Sequence, residues 1–420
     1  MKEANFKETE IGKIPVDWEV EYLGENLAEN PKYGINAASV PFNSNLPTYL
    51  RITDISDDGR YLNNSPVSVN NSESSKYFLE EGDLVFARTG ASVGKTYLYN
   101  LNDGRLVYAG FLIKLKPDNQ TLNSVFLKYL TQNKFYKDWI IQNSMRTGQP
   151  GINGIQIKSF QIPLPPLAEQ EKIAEVLSDT DLWIESTEAL LAKKRQIKKG
   201  AMQKLLSPKE DWEVKSIIEI INNDRKLFND GDWVESVHIK SDEIRLLQTG
   251  NIGIGKFLDR ASKKYISEES FKQLNCKEVF ENDILICRLA EPAGRCCLMP
   301  KIDEKKLIVS VDVSILRPDE KLYDRRFLVF IMCTDEWFNN VTEKVGGTTH
   351  KRISRSNLGE IKFSLPPLKI QREIAEILSS MDLEIESLEN RLQKARQLKQ
   401  GMMQDLLTGK VRLYKKIQEN

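Results

Sequence analysis

Two short clusters of cationic, amide and hydroxyl side chains stand on glycine-rich stretches, and each cluster occurs twice. Arg88-Thr89-Gly90-Ala91-Ser92-Val93-Gly94-Lys95 follows the apolar run Leu84-Val85-Phe86-Ala87, and Arg288 to Arg295 follows Ile284-Leu285-Ile286-Cys287. Farther on, Arg146-Thr147-Gly148-Gln149-Pro150-Gly151-Ile152-Asn153 is matched by Gly346-Gly347-Thr348-Thr349-His350-Lys351-Arg352-Ile353-Ser354. Guanidinium and ammonium groups donate to phosphates and to guanine, and carboxamides match the edge of adenine. Loops held by a rigid frame are where such contacts are made. The candidate contact residues are therefore Arg88, Thr89, Ser92, Lys95, Arg146, Thr147, Gln149 and Asn153 in the first half. In the second half they are Arg288, Arg295, Thr348, Thr349, His350, Lys351, Arg352 and Arg355.

Motifs that would do covalent chemistry fail on inspection. Gly90 to Thr96 imitates a phosphate-binding loop but is one residue short of G-x-x-x-x-G-K-[ST]. Tyr97-Leu98-Tyr99 then reads as strand, where such a loop needs a helix N-terminus. Asn30-Pro31-Lys32-Tyr33 resembles the Asn-Pro-Pro-Tyr of amino-methyltransferases, with lysine in place of the second proline and no glycine-rich cofactor loop before it. Gly250-Asn251-Ile252-Gly253-Ile254-Gly255 has the wrong order for a dinucleotide fold and reads as a turn. The two histidines, His238 and His350, have no counterpart nucleophile or carboxylate in the other half. All five cysteines lie between Cys276 and Cys333 without a CxxC pair, which argues against a zinc site or a disulfide framework and for a reducing cytoplasm. No catalytic, cofactor-binding or metal-binding residue is assigned.

The elements that must position the two clusters are organised by a long internal repeat. Leu164-Pro165-Pro166-Leu167 returns as Leu365-Pro366-Pro367-Leu368, an offset of 201, and 26 of 43 positions are identical through Leu206 and Leu407. Weaker echoes lie upstream: Asp17-Trp18-Glu19-Val20 against Asp211-Trp212-Glu213-Val214, and Gly94-Lys95 against Gly294-Arg295. A period of this length is a duplicated two-part unit rather than a solenoid. With 420 residues and 40 % apolar composition the chain has material for two or three cores. No apolar run is long enough for a membrane span. The variable blocks read as mixed α/β. Val107 to Leu115 and Leu307 to Leu316 are expected strands, and Ser124 to Gln142 and Asp324 to Lys344 expected amphipathic helices.

The constant segments carry heptads after a proline pair that suits only a helix's first turn. In the first copy the apolar seam comprises Ile173, Leu177, Ile184, Leu191 and Leu205. In the second it comprises Ile374, Leu378, Ile385, Leu392 and Leu406. Acids crowd the early turns (Glu169, Glu171, Glu175) and bases the late ones (Lys193, Lys194, Arg195), as the helix dipole favours. Two such helices in one chain most simply pair with each other, antiparallel. The expected fold is α+β: two mixed α/β domains in pseudo-twofold arrangement, 1–160 and 208–361. Two long helices, 161–207 and 362–420, join them as an antiparallel coiled coil.

Pro163-Leu164-Pro165-Pro166-Leu167-Ala168-Glu169-Gln170, its partner Leu365 to Gln371, the opening Ile11-Gly12-Lys13-Ile14-Pro15-Val16-Asp17-Trp18 and the two-plus-two layout carry a family resemblance over essentially the whole chain. The sequence resembles the specificity (S) subunit of type I restriction–modification enzymes. One departure is Lys369-Ile370, where the first copy has Ala168-Glu169. The resemblance implies two target-recognition domains that each read half of a split double-stranded DNA word. It also implies helices that act as a ruler and dock two modification (methyltransferase) subunits, with restriction and translocase subunits joining separately. It implies no catalysis in this chain, so that S-adenosylmethionine, ATP and magnesium belong to the partners, and a cytoplasmic setting without membrane. Two rivals are a stand-alone DNA methyltransferase or nuclease and a protein-only coiled-coil adaptor. The first needs a cofactor loop that is missing; the second leaves two divergent domains with matching Arg/Gly loops unexplained.

Overall fold

The computed structural model describes residues 5–145, 148–239, 242–347 and 351–413. The chain forms two compact units, one of Met1–Glu188 with Arg391–Asn420 and one of Ala189–Asn390. The division falls inside both long helices, Leu167–Leu205 and Leu368–Leu406.

In the first unit a four-stranded antiparallel sheet runs in the order Lys32–Tyr33, Leu112–Leu115, Leu84–Ala87, Thr96–Leu98. In the second unit the order is Phe228–Asp230, Val313–Leu316, Ile284–Cys287, Cys296–Leu298, again antiparallel. The two inner strands of each are buried at every position; Leu84–Ala87 and Ile284–Cys287 accordingly read as unbroken apolar runs, while Lys114 and Ser314 interrupt the other two. Each unit has a further sheet containing one parallel pair: Leu106–Tyr108 beside Thr48–Leu50, and Leu307–Val309 beside Ile244–Leu247. A strand just before each long helix, Gln161–Leu164 or Lys362–Leu365, pairs with a strand near the start of its half, Glu19–Tyr22 or Glu213–Ser216. Among the described residues no helix is long and apolar enough to cross a membrane.

The run expected as one strand from Val107 to Leu115 is two strands in different sheets, and Leu307 to Leu316 divides in the same way. A tight turn redirects the chain: the Leu112 N–H donates to the Ala109 carbonyl at 2.8 Å, and Val313 to Ser310 at 2.9 Å. Both arms are mostly apolar, so hydropathy does not mark the corner. The helices expected from Ser124 to Gln142 and Asp324 to Lys344 are likewise each a pair, Ser124–Leu130 with Lys134–Ser144 and Arg325–Ile331 with Asp335–Glu343. The break is a new N-cap. Asn133 Oδ1 accepts from the Tyr136 N–H at 2.9 Å, and Thr334 Oγ1 from the Trp337 N–H at 3.3 Å.

Both long helices begin directly after their proline pairs, as expected. In the first unit Ile173 and Leu177 share one core with Trp18, Phe126, Leu406 and Leu407. In the second, Ile374 and Leu378 share one with Leu206, Trp212 and Phe327. The start of one long helix thus lies against the end of the other within each unit, and the two run antiparallel. Charged flanks follow that direction: Asp181 with Lys399 at 2.6 Å and Glu188 with Arg396 at 2.5 Å in the first unit, Lys194 with Glu384 at 2.6 Å and Arg195 with Glu389 at 2.5 Å in the second. Of the expected seam, Ile173, Leu177, Ile184, Leu191, Ile374, Leu378, Leu392 and Leu406 are buried, and Leu205 and Ile385 half-buried. The α+β class and the packed pair of long helices are those expected.

Candidate nucleic-acid interface

In each unit the two polar clusters meet. The loop after strand Leu84–Ala87 bridges to the segment before the short helix Gly154–Lys158. The Gly90 N–H donates to the Pro150 carbonyl at 3.0 Å, and the Ile152 N–H donates to the Arg88 carbonyl at 2.9 Å. The second unit repeats this on strand Ile284–Cys287 and helix Arg355–Gly359. There the Ala290 N–H donates to the Lys351 carbonyl at 3.0 Å and the Ile353 N–H to the Arg288 carbonyl at 3.0 Å. Residues far apart in sequence, Arg88 and Asn153 or Arg288 and Arg355, are thereby held on one strand–loop–helix frame.

The arginines on that frame differ in what they do. Arg88 is half-buried, with its guanidinium 4.9 Å from the centre of the Tyr33 ring. Tyr33 in turn accepts from the Gly154 N–H at 3.1 Å, which ties the stack to the neighbouring loop. Arg288, the matching residue, is only 3 % exposed and lies 3.2 Å from Asp230. Burial holds its pKa below the usual arginine value, against the pull of Asp230. Arg295 donates to four carbonyls, those of Ile252, Leu289, Pro292 and Thr249, at 2.8–3.1 Å. Arg352 and Arg355 keep about two-fifths of their side chains exposed, at 40 % and 38 %, while touching Asp312 at 3.0 Å and Asp230 at 3.8 Å.

The other candidates divide likewise. Lys95 pairs with Asp57 at 2.7 Å. Thr89 bridges to Gly151, and Ser92 sits half-buried in the following turn. Gln149 and Lys351 are exposed. Asn153 is the N-cap of its helix, its Oδ1 accepting from the Gln156 N–H at 2.9 Å, so its carboxamide serves the frame. Arg146, Thr147, Thr348, Thr349 and His350 lie outside the described residues.

Sequence reasoning used the glutamine of the repeated proline motif only as a signature, without seeing its role. Gln170 Oε1 accepts from the Asn123 N–H at 2.9 Å, and its Nε2 donates to the carbonyls of Pro165 and Thr121. Gln371 repeats two of these contacts, with Asp324 N–H at 3.0 Å and the Pro366 carbonyl at 2.8 Å. These buried amides bolt each long helix to the helix that follows its neighbouring sheet. The recurrence of Gln170 and Gln371 at one offset was the available signal. The departure at Lys369-Ile370 also has a reason. Glu169 is fully buried and accepts from Trp18 Nε1 at 3.0 Å and from Arg412, whereas Ile370 packs against apolar core. Both helices nevertheless start at equivalent residues.

A frame used twice, presenting different polar tips on the same backbone and tied to long helices, defines a duplicated recognition scaffold. The family model for the type I restriction modification DNA specificity domain matches residues 15–195 and 209–397. The chain is 28 % identical over 439 residues to the sequence assigned to the MjaX specificity subunit of Methanocaldococcus jannaschii, covering 98 % of both chains. It is 24 % identical over 346 residues to the type I restriction enzyme EcoKI specificity subunit of Escherichia coli, covering 77 % of this chain and 73 % of that one. A crystal structure of the type I restriction–modification S subunit from M. genitalium matches with a TM-score of 0.61 at 16 % identity, over 93 % of this chain and 96 % of that one, which is a likeness of fold. The chain belongs to the type I restriction–modification DNA specificity family, whose members select the sequence and carry no catalytic role.

Proposed function

We propose that this chain reads a split word on double-stranded DNA, one half with each recognition domain, 1–160 and 208–361. The observation that carries this reading is the twofold meeting of polar loops, Arg88–Thr89 with Gly151–Ile152 and Arg288–Leu289 with Arg352–Ile353. Arg88, Gln149, Lys351, Arg352 and Arg355 supply the contacts to DNA, and Arg288, Arg295 and Asn153 hold the loops that present them. The helical segments 161–207 and 362–420 dock two modification subunits. Exposed apolar residues at repeat-equivalent positions support that docking: Leu182 and Leu383 at 62 % and 67 %, Ile197 and Leu398 at 47 % and 53 %. Restriction and translocase subunits join separately, S-adenosylmethionine, ATP and magnesium are bound by partners, and the assembly works in the cytoplasm. Methylome sequencing of cells with and without the chain tests this: a split methylated motif should vanish with it. Arg88→Ala and Arg352→Ala should each reduce methylation while the chain stays folded and bound to its methyltransferase subunits. Unchanged methylation in both would remove these loops from the interface.

A further inference from the structure

The same backbone corner is built in both units beside the loop frame, and its tips differ in chemistry. The Gly34 N–H donates to the Leu112 carbonyl at 3.1 Å and Ile35 to Tyr108 at 3.0 Å; Gly231 donates to Val313 at 2.8 Å and Asp232 to Val309 at 2.8 Å. A Cβ on either glycine would fall within 2.2–2.4 Å of backbone oxygens, so the close approach requires glycine twice. The residues that follow, Asn36 and Trp233, are therefore spatial equivalents. A second equivalence follows from Ala109 donating to the Leu50 carbonyl at 3.0 Å and Ser310 to Leu247 at 2.8 Å, which aligns Arg51 with Gln248. Arg51 is committed to Asp54, donating from Nη2 at 2.7 Å and from Nε at 2.9 Å. At the matching positions stand Gln248 and Asn251, so a carboxamide, which accepts from the Gln248 N–H at 2.9 Å, takes the place of the carboxylate that holds Arg51.

In the second unit this corner forms a groove of about 320 Å³ whose lining includes Asp232, Trp233, Gln248, Lys264 and Ser310 beside an apolar side that includes Ile239 and Val311. Its carboxylate is already answered: Asp232 takes the backbone N–H and the Nζ of Lys277, both at 2.7 Å. Trp233 is 69 % exposed, so its indole face is open to an occupant of the groove. The groove shares a wall with the polar frame, because Val311 accepts from Arg288 and the next residue, Asp312, holds Arg352.

We propose that this groove is a base-reading site for duplex DNA in the second half-word, with Gln248 bidentate to an adenine, Trp233 against an apolar base edge and Lys264 on a phosphate. It rests on the reading of the chain as a split-word reader and adds residues outside the polar loops. Continuity with the Arg352 face makes duplex DNA the occupant, and a carboxamide is the side chain whose two groups match adenine N6 and N7. The Asn36 and Arg51 tips give the other unit a different chemistry on the same backbone, as two different half-words require.

The test uses the full chain co-expressed with its modification subunits. Methylated motifs are sequenced, and duplex binding is measured at several salt concentrations. Gln248→Ala should relax one adenine position of one half-word and weaken cognate binding by roughly 10–100-fold. Gln248→Glu should move that position toward cytosine. Lys264→Ala should weaken all sequences alike and lower the salt slope by about one. Trp233→Ala should lose affinity that Trp233→Phe largely restores, with unchanged thermal melting in both. If these variants keep word and affinity while Arg352→Ala does not, the groove is no reader and the loop reading survives. If Arg352→Ala is also silent, the split-word reading of these loops fails with it. A change in both half-words, or melting of the unit by Trp233→Phe, would overturn the groove by making it structural.

Discussion

At the scale of the residue, side-chain type and spacing located the polar frame but not the direction each side chain takes. Arg88, Arg288 and Arg295 look alike in sequence. One stacks on Tyr33, one is buried against Asp230, and one is spent on four carbonyls. Direction depends on partners supplied by distant segments: Tyr33, Asp230 and the Thr249–Ile252 turn. Arg295→Ala should accordingly destabilise the second unit by about 3 kcal/mol, since it orphans several carbonyls of a charged donor, and calorimetry would show it as a lowered Tm. A Tm equal to wild type would mean those carbonyls find water and the arginine is free for another task. The five cysteines are free, four of them buried and Cys333 half-exposed. Burial pushes the Cys276 thiol up to about 11 and the Cys297 thiol up to about 12. A raised thiol pKa means less thiolate at any pH below it, so both stay protonated at pH 8. Native protein at pH 8 should therefore take up a thiol reagent first at the half-exposed Cys333, with Cys276 and Cys297 reacting only on unfolding; mass spectrometry of labelled peptides would reveal any other order.

Elements were legible where one physical pattern dominates. The long helices announce themselves by proline pairs and heptads, and the strands Leu84–Ala87 and Ile284–Cys287 by unbroken apolar runs. Two kinds of boundary were not legible. The strand corners at Ala109–Leu112 and Ser310–Val313 join arms that are both mostly apolar, and the helix breaks at Asn133 and Thr334 depend on one cap within an otherwise helical pattern. Arg412 donates to both carboxylate oxygens of Glu169 at 2.7–2.8 Å and to both of Asp17 at 2.7–2.8 Å, and lies over Trp18. Side-chain hydrogen bonds to Glu169 and then Asp17 raise its pKa above the ordinary arginine value. Removing the cation leaves Glu169 buried with Trp18 as its remaining donor, which costs about 3–5 kcal/mol. Arg412→Ala should thus unfold the first unit early. Adding Glu169→Ile, the residue type at Ile370 in the second copy, should restore much of the loss because it removes the stranded charge. Denaturant titration of the single and double variants decides: a double variant no better than the single would show that Arg412 stabilises through packing on Trp18 instead.

At the scale of the whole molecule, the sequence already separates near-constant helices from divergent blocks, and the fold gives that contrast a physical meaning. The helices repeat because each must satisfy the same proline motif, the same glutamine bolt and the same seam. The blocks diverge because a shared strand–loop–helix frame tolerates different tips: Phe111 and Asp312 occupy one corner, Asn36 and Trp233 another. Charge does not advertise the function, since residues 1–160 hold 17 bases against 18 acids and residues 208–362 hold 26 against 27. Lys95, Arg288 and Arg352 are each ion-paired within their own unit, with Asp57, Asp230 and Asp312, so on the proposed reading base-edge geometry rather than bulk attraction discriminates sequences. If each frame reads alone, the units are exchangeable. Replacing residues 208–361 by the corresponding block of another family member should then change one half of the methylated motif and leave the other half as it was. The chimaera keeps Gln170, Gln371 and the seam, so its helices and partner docking should persist, and purification of the intact complex would verify that. A chimaera that assembles yet alters both halves of the motif would mean that the frames read DNA jointly, and that the duplication is one of architecture without independence of function.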